Sequence, residues 1–309
     1  MNKRPLILDC DPGHDDAIAI LLAGLDPSID LLGITVSAGN QTLEKTGKNA
    51  LNLVQYLNLD IPVALGVSKP LIRKQQIAED IHGESGLDGF DFPALKIDYA
   101  QQHAVDFIID TLKKNDKKVT VVTTGPMTNL ALALSMDETI VSHIEEIVFM
   151  GGSIGYGNVS PAAEFNMLVD PEAAHIVIRS GVKITMVGLD VTRKVQVLPS
   201  VIDRMAKLNT KASRLFTALM RVFNENQKRV FGLAGGPLHD PVTIAHLLDK
   251  QLLELKHVRL DIDLSHGPSY GRTNCDMFDY LAQDKNAYVG VDIDVDRFWN
   301  LIEAGLKRY

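Results

Sequence analysis

The sequence predicts an α/β fold, a mostly parallel central sheet with helices on both faces. Two observations carry the prediction. Short apolar, β-branched runs alternate with longer helix-periodic stretches from the amino terminus onward, the order that builds parallel strands joined by crossover helices. Turns of acids, amides, threonine and glycine recur directly after those apolar runs, and in a parallel sheet such turns collect on one edge. The composition is that of an ordinary globular chain, 46% hydrophobic and 23% charged over 309 residues, without repeats, low-complexity tracts or a clear linker. That length allows two domains, and one large α/β domain also fits.

Residues 6–8 read as the first buried strand. Asp9, Asp11, Asp15 and Asp16 follow, with Pro12 and Gly13 turning the chain between the pairs, and residues 17–25 read as a helix stopped by Asp26-Pro27. Residues 31–36 are a second strand running into Ser37-Ala38-Gly39-Asn40. Thr42 is placed to cap a helix reaching about residue 57, and residues 61–65 form a third strand. Residues 69–93 break the rhythm as a long, flexible connection, a length that often marks function. His82 within it reads equally well as an exposed loop histidine. A helix over 103–113 and a strand over 119–122 lead to Thr124-Gly125-Pro126, with Thr128 as a cap for a helix over 130–135. The strand 147–150 opens a glycine-rich segment ending in Glu164-Phe165-Asn166. Asp170-Pro171 starts a helix to about residue 180, and the strand 184–187 precedes Asp190 and Thr192. Residues 199–231 are helical, with a core-facing stripe at Leu215, Phe216, Leu219, Met220 and Phe223. His239-Asp240-Pro241 starts a helix to residue 248. Strands near 258–264 and 287–293 and a helix over 296–307 complete the chain.

The net charge of −8 and pI of about 5.6 give no electrostatic reason to expect a nucleic-acid partner. The two cysteines, Cys10 and Cys275, lie far apart and predict reduced thiols rather than a disulfide framework or zinc site, with Cys10 in the core. Met1-Asn2-Lys3-Arg4-Pro5 leads straight into the first strand without a signal-peptide pattern, and no apolar run approaches a membrane span. The expectation is a cytoplasmic protein with no membrane partner.

Four carboxylates this close repel, and must accept hydrogen bonds, become protonated or bind a cation. Asp15 and Asp16 can accept first-turn amides, but a helix start has too few free amides for all four. A hard, oxygen-ligated cation accounts for the group better; calcium takes several carboxylates and carbonyls, whereas magnesium keeps more water. The other turns add Asn40, Thr124, Glu164, Asn166 and Asp240. Acids and amides without basic residues suit a cation and hydroxyl groups. They suit phosphate badly, since neither a Gly-rich loop with lysine nor an arginine fork is present. The chemistry this predicts is attack on a neutral, polyhydroxylated substrate by a water that a carboxylate base activates beside the cation.

The run Asp9-Cys10-Asp11-Pro12-Gly13-His14-Asp15-Asp16 resembles the amino-terminal motif of the inosine–uridine type nucleoside hydrolases. The likeness extends through Ser37-Ala38-Gly39-Asn40, the run from His82 to Gly89, Thr124-Gly125-Pro126, Glu164-Phe165-Asn166 and His239-Asp240-Pro241. Gln227 and the run from Gly267 to Thr273 look most like the bacterial pyrimidine-specific ribonucleoside hydrolases. The resemblance implies a single Rossmann-like domain over residues 1–309, usually assembled as a homotetramer or homodimer. It implies Ca²⁺-dependent hydrolysis of the N-glycosidic bond of ribonucleosides, with uridine and cytidine preferred. Asp11, Asp16, Asp240 and the carbonyl of Thr124 would hold one Ca²⁺ per subunit, and Asp11 would be the general base. Asp15, Asn40, Asn158, Glu164 and Asn166 would bind ribose hydroxyls. His82, Gln227, Phe231 and His239 would surround the base, with His239 resembling the leaving-group acid. One position departs: some pyrimidine-preferring relatives carry tyrosine where this chain has Phe231, which removes a hydroxyl near the leaving base.

Two other classes compete. A Mg²⁺-dependent phosphohydrolase with an aspartyl nucleophile at Asp9 or Asp11 would need a nearby lysine or arginine for its phosphate. A non-catalytic nucleoside-binding protein would need no base such as Asp11 beside the metal.

Overall fold

The computed structural model describes residues 3–309; Met1 and Asn2, part of the lead-in free of a signal-peptide pattern, lie outside the described residues. The apolar runs become β1 (Arg4–Cys10), β2 (Ile29–Val36), β3 (Val63–Leu65), β4 (Val119–Thr123), β5 (Ile144–Met150) and β6 (Ile184–Val187). With β7 (Leu253–Ile262), β8 (Thr273–Asp276) and β9 (Ala287–Ile293) they form one nine-stranded sheet, ordered β3-β2-β1-β4-β5-β6-β9-β7-β8. β1 to β6 and β9 run parallel, while β7 and β8 close one edge antiparallel. The mostly parallel sheet predicted from the sequence is what forms. Strand order reverses between β1 and β4, and open α/β sheets take ligands outside the carboxyl ends of the strands at such a reversal.

The helices are α1 (His14–Gly24), α2 (Leu43–Leu57), α3 (Glu79–His82), α4 (Ala104–Lys114), α5 (Thr128–Met136), α6 (Phe165–Val169), α7 (Pro171–Ile178), α8 (Leu189–Thr192), α9 (Pro199–Ala206), α10 (Lys211–Phe231), α11 (Pro241–Leu248) and α12 (Val295–Leu306). Successive side chains of a strand point to opposite faces. On β1, Leu6, Leu8 and Cys10 therefore pack with α1, α2, α10, α11 and α12, while Ile7 packs with α4, α5 and α7 on the other side. Helices cover both faces, and the sheet is dry: residues 5–10 of β1 are all buried.

Local differences from expectation have local causes. Thr42 occupies the cap position of α2, but its hydroxyl accepts no first-turn amide. Helix α5 starts at Thr128 itself, whose hydroxyl instead donates to Asp170 Oδ2 at 2.6 Å. Strand β8, Thr-Asn-Cys-Asp, carries no apolar pattern and exists because β7 offers it a ladder. The 69–93 connection is tied down: Gln41 donates to the Gly83 and Glu84 carbonyls, and Asn49 donates to Ser85.

Candidate active site

A cavity of about 440 Å³ opens at the carboxyl ends of the parallel strands. It is lined by Asp15, Asn40, His82, Thr124, Asn158, Glu164, Asn166, Gln227, Phe231, His239 and Asp240, which the turns, the 69–93 connection and α10 bring together. Asp11 and Asp16 are fully buried behind that lining.

The floor is acidic. Asp15, Asp16 and Asp240 each offer a carboxylate oxygen within 4.8 Å of the others. Asp16 Oδ2 accepts from Gly13 N at 2.9 Å and from Asn40 Nδ2 at 3.1 Å, and Oδ1 accepts from the Thr124 hydroxyl at 2.7 Å. Asp11 lies outside that trio, yet its charge acts on Asp240. Its Oδ2 accepts from Asn40 N at 2.6 Å, and its Oδ1 has no partner. Two glycines make room for it. A Cβ on Gly39 would lie 2.0 Å from Asp11 Oδ2, and one on Gly125 would lie 2.3 Å from Oδ1. Oδ1 therefore abuts the Thr124–Gly125 turn.

The electrostatics are those of a site built for a positive charge. Burial, then the Asp16 charge, push the Asp11 carboxyl well up, and burial followed by the same charge raises Asp15 to about 7. Burial and the Asp15 and Asp16 charges also push Asp240 well up. Orphaned oxygens on Asp11 and Asp15, an all-oxygen donor set and no paired lysine fit a hard divalent cation. Asp9, although adjacent in sequence, is not part of this floor. It faces the α5 side, where Oδ1 accepts from Thr35 at 2.6 Å and Asn129 at 2.9 Å.

One wall carries the amides and Glu164. Asn166 Nδ2 donates to the Thr124 carbonyl at 2.7 Å and to the Met150 carbonyl at 3.2 Å. Glu164 caps α6, accepting from Met167 N at 3.2 Å and Gly152 N at 3.0 Å, and burial raises its carboxyl to about 7. Asn158 stands on the exposed lip, its Oδ1 accepting from Phe165 N at 3.0 Å.

The opposite wall is aromatic and imidazole-rich. His82 is buried rather than an exposed loop residue, and its Nδ1 accepts from His14 N at 3.2 Å, which leaves the ring proton on Nε2. Burial, then the His14 and His239 rings, hold it well below the usual imidazole range, so it stays neutral. His239 Nδ1 pairs with the Thr192 hydroxyl at 2.7 Å, and burial lowers the ring to about 3. Gln227 and Phe231 share one face of α10: Gln227 is 4% exposed, whereas Phe231 is 51% exposed at the rim.

Sequence reasoning missed His14, whose ring stacks on His82 with centroids 5.6 Å apart, and Phe223, packed 6.2 Å from His82. It also missed Tyr156 and Arg193 in the lining. The expectation that no basic residue is near is therefore corrected. The Arg193 guanidinium, however, is committed to the Tyr156 and Gly157 carbonyls at 3.0 and 2.6 Å, and is no open phosphate fork.

Comparison with known proteins supplies the rest. A family model described as inosine-uridine preferring nucleoside hydrolase matches residues 6–300. The pyrimidine-specific ribonucleoside hydrolase RihB of Escherichia coli is 47% identical over 309 residues, covering 100% of this chain and 99% of the relative. Among solved structures, a purine-preferring ribonucleoside hydrolase from Gardnerella vaginalis superimposes with a TM-score of 0.91 at 34% identity, covering 99% and 100% of the two chains. The plant nucleoside hydrolase PpNRh1 does so with a TM-score of 0.93 at 29% identity, covering 99% of each.

Proposed function

The chain belongs to the inosine-uridine preferring nucleoside hydrolase family, and we propose that within it the protein is a Ca²⁺-dependent ribonucleoside hydrolase preferring pyrimidines. It is a hydrolase of N-glycosyl bonds, and uridine and cytidine would leave as free base and ribose. The observation that carries this reading is a single cavity in which a buried acidic floor meets a wall of amides on one side and a glutamine, an aromatic ring and neutral histidines on the other. Such a lining matches a cation, a sugar and a planar base in turn. The 47% identity to RihB supports the pyrimidine preference.

In this reading Asp11, Asp16, Asp240 and the Thr124 carbonyl hold one Ca²⁺ per subunit. When bound, the ion supplies the positive charge that this floor lacks, favouring ionised water and oriented ribose hydroxyls. Asp11 takes the proton of the attacking water at Oδ1, the oxygen without a partner. Asp15, Asn40, Asn158, Glu164 and Asn166 bind the ribose hydroxyls. The bond from C1′ to the base stretches toward an oxocarbenium-like state, and its electron pair goes to the base nitrogen. Neutral His82, with its ring proton on Nε2, and His239 line the cavity beside Gln227 and Phe231, where they would meet that charge. The whole chain works as one domain, as a cytoplasmic homotetramer (or homodimer) acting on a small nucleoside. Among the described residues no helix is long and apolar enough to cross a membrane.

One assay tests the reading. Uridine, inosine, 2′-deoxyuridine and uridine 5′-monophosphate are each incubated with protein stripped of Ca²⁺ and with Ca²⁺ restored. Ribose is released from uridine faster than from inosine, stops with chelation and returns with Ca²⁺. Phosphate release would favour an aspartyl phosphohydrolase, and neither product would leave a binding protein. Equal efficiency on uridine and 2′-deoxyuridine would remove the 2′-hydroxyl from the grip of the acidic floor.

A further inference from the structure

We infer that Asp190 and Arg193, on the turn of α8 that follows β6, are positioning residues that clamp residues 154–157 and so fix the lip of the cavity carrying Asn158. The inference rests on the nucleoside reading of that cavity. Four consecutive residues are held in order by two side chains. Asp190 Oδ2 accepts from Ile154 N at 2.6 Å and Oδ1 accepts from Gly155 N at 3.1 Å. Arg193 Nη1 donates to the Tyr156 carbonyl at 3.0 Å and Nη2 to the Gly157 carbonyl at 2.6 Å. The acid takes the amides and the guanidinium takes the carbonyls, so each charged group meets the matching end of the peptide dipoles.

The other anchors lie at the ends of the segment: Ile154 packs against the core, and Gly157 N and Asn158 N donate to the Pro161 and Ala163 carbonyls at 3.2 Å, so the stretch between them relies on the clamp. Tyr156 is 67% exposed, and its ring packs on the Arg193 guanidinium at 4.0 Å rather than into a core. Residues 155 and 156 are exposed and bury little apolar area, so they depend on hydrogen bonds for their position. Gly157 admits no other residue here, because a Cβ would lie 2.1 Å from the Ala163 carbonyl oxygen. The same turn reaches the far side of the cavity, where the Thr192 hydroxyl pairs with His239 Nδ1 at 2.7 Å. One short element thus sets both the lip over the sugar and a histidine beside the base. A lining arginine in a nucleoside site invites a second assignment, to a substrate phosphate. Both Nη groups are already spent on carbonyls, which favours the clamp.

The test combines backbone hydrogen exchange with kinetics on the full chain. In Arg193→Ala, exchange of the amides at 154–158 accelerates by about tenfold or more, the scale of one to two lost charge-assisted bonds, and KM for uridine rises by a similar factor with kcat changing less. Arg193→Lys, which can reach one carbonyl, recovers part of both effects. Asp190→Asn loosens the same segment, and with Arg193→Lys it decides the matter if the alanine variant does not fold. Unchanged exchange together with unchanged KM in Arg193→Ala would overturn the clamp. So would a loss confined to uridine 5′-monophosphate, which would make Arg193 a phosphate ligand. Exchange needs no substrate, so wild-type protein that releases no ribose would count against the nucleoside reading while leaving the clamp to be judged on exchange alone.

Discussion

Asn40 donates its backbone N–H to Oδ2 of Asp11 at 2.6 Å, which fixes the carboxylate by one oxygen and leaves the other, Oδ1, without a partner. A buried acceptor left free is costly unless a ligand uses it. The arrangement orients Asp11 and leaves Oδ1 open, but burial and the Asp16 charge push the carboxyl well up, so a nearby cation would be needed to keep it ionised as a base.

Asp11→Asn keeps the shape and the acceptor for Asn40 but cannot take a proton at the free oxygen. The expected outcome is a loss of uridine turnover by a factor of about a hundred to ten thousand, with the folded state retained. Turnover and circular dichroism measured on the same preparation check it. Near-normal turnover in a folded Asn variant would assign the base elsewhere.

Removing the cation should leave a distinctive trace in stability. Burial and then the Asp16 charge raise Asp15 to about 7, and Asp11 and Asp240 are pushed up by burial and their acidic neighbours. A carboxyl raised above its unfolded value takes up a proton on folding, so without the cation stability grows as pH falls through 7 and shrinks as pH rises. In chelator, Tm at pH 6 exceeds Tm at pH 8. Saturating Ca²⁺ adds about 2 to 3 kcal/mol at a hundredfold excess over Kd, raising Tm at pH 8 by roughly 5 °C and flattening the slope. Calorimetry that finds identical Tm values at pH 8 with and without Ca²⁺ would exclude Ca²⁺ from this floor.

Most of the residues proposed for the cation and the sugar were legible as lining because they lie in or just past polar turns that follow apolar strands, and strand direction puts those turns on one edge. Asp9 shows where that logic stops. It belongs to the strand itself, and alternation turns it to the face of Ile7, toward Thr35 and Asn129. Arg193, Tyr156 and the His14–His82 stack were invisible because their partners are backbone groups and rings distant in sequence. Strand β8 escaped for a related reason: an edge strand takes its ladder from a neighbour rather than from its own hydrophobic pattern.

At the other end of the sheet, Glu146 of β5 is buried among three cations. Oε1 meets Arg4 at 2.9 Å and Lys250 at 3.0 Å, and Oε2 meets Lys183 at 3.0 Å. Burial alone would raise its carboxyl, but the Lys250 and Lys183 ammonium groups outweigh that and hold it at about 2. A depressed carboxyl stabilises the fold above its unfolded value of 4.5 and loses that contribution as pH falls toward 2. Glu146→Gln should cost roughly 3 kcal/mol at pH 7, with KM for uridine unchanged, and the difference from wild type should vanish between pH 4.5 and 2. Urea denaturation across that range measures it. A pH-independent difference would mean packing, not charge, sets the cost.

The histidine wall with Gln227 and Phe231, proposed to face the base, offers the sharpest test of substrate preference. Uracil and cytosine are smaller than purines and leave as poorer anions when unprotonated, so a pyrimidine enzyme must donate to the departing base or stabilise its charge. Burial lowers His239 to about 3, and burial with the neighbouring rings keeps His82 well below its usual range, so neither ring is an imidazolium at neutral pH. Any donation from them comes from a neutral N–H, a weak acid. That puts weight on the groups beside them. Gln227, at 4% exposure, offers an amide to a base edge, and Phe231, at 51% exposure, offers a ring face at the rim but no hydroxyl. Gln227→Ala should lower kcat/KM for uridine by about one to two powers of ten, the scale of one or two lost hydrogen bonds. Phe231→Tyr should raise uridine turnover by restoring a donor near the leaving base, and should change inosine turnover less. Steady-state kinetics of both variants on both nucleosides decide it. If uridine kinetics are unchanged in both, then these two side chains do not recognise the base, and any pyrimidine preference must come from the histidine wall alone.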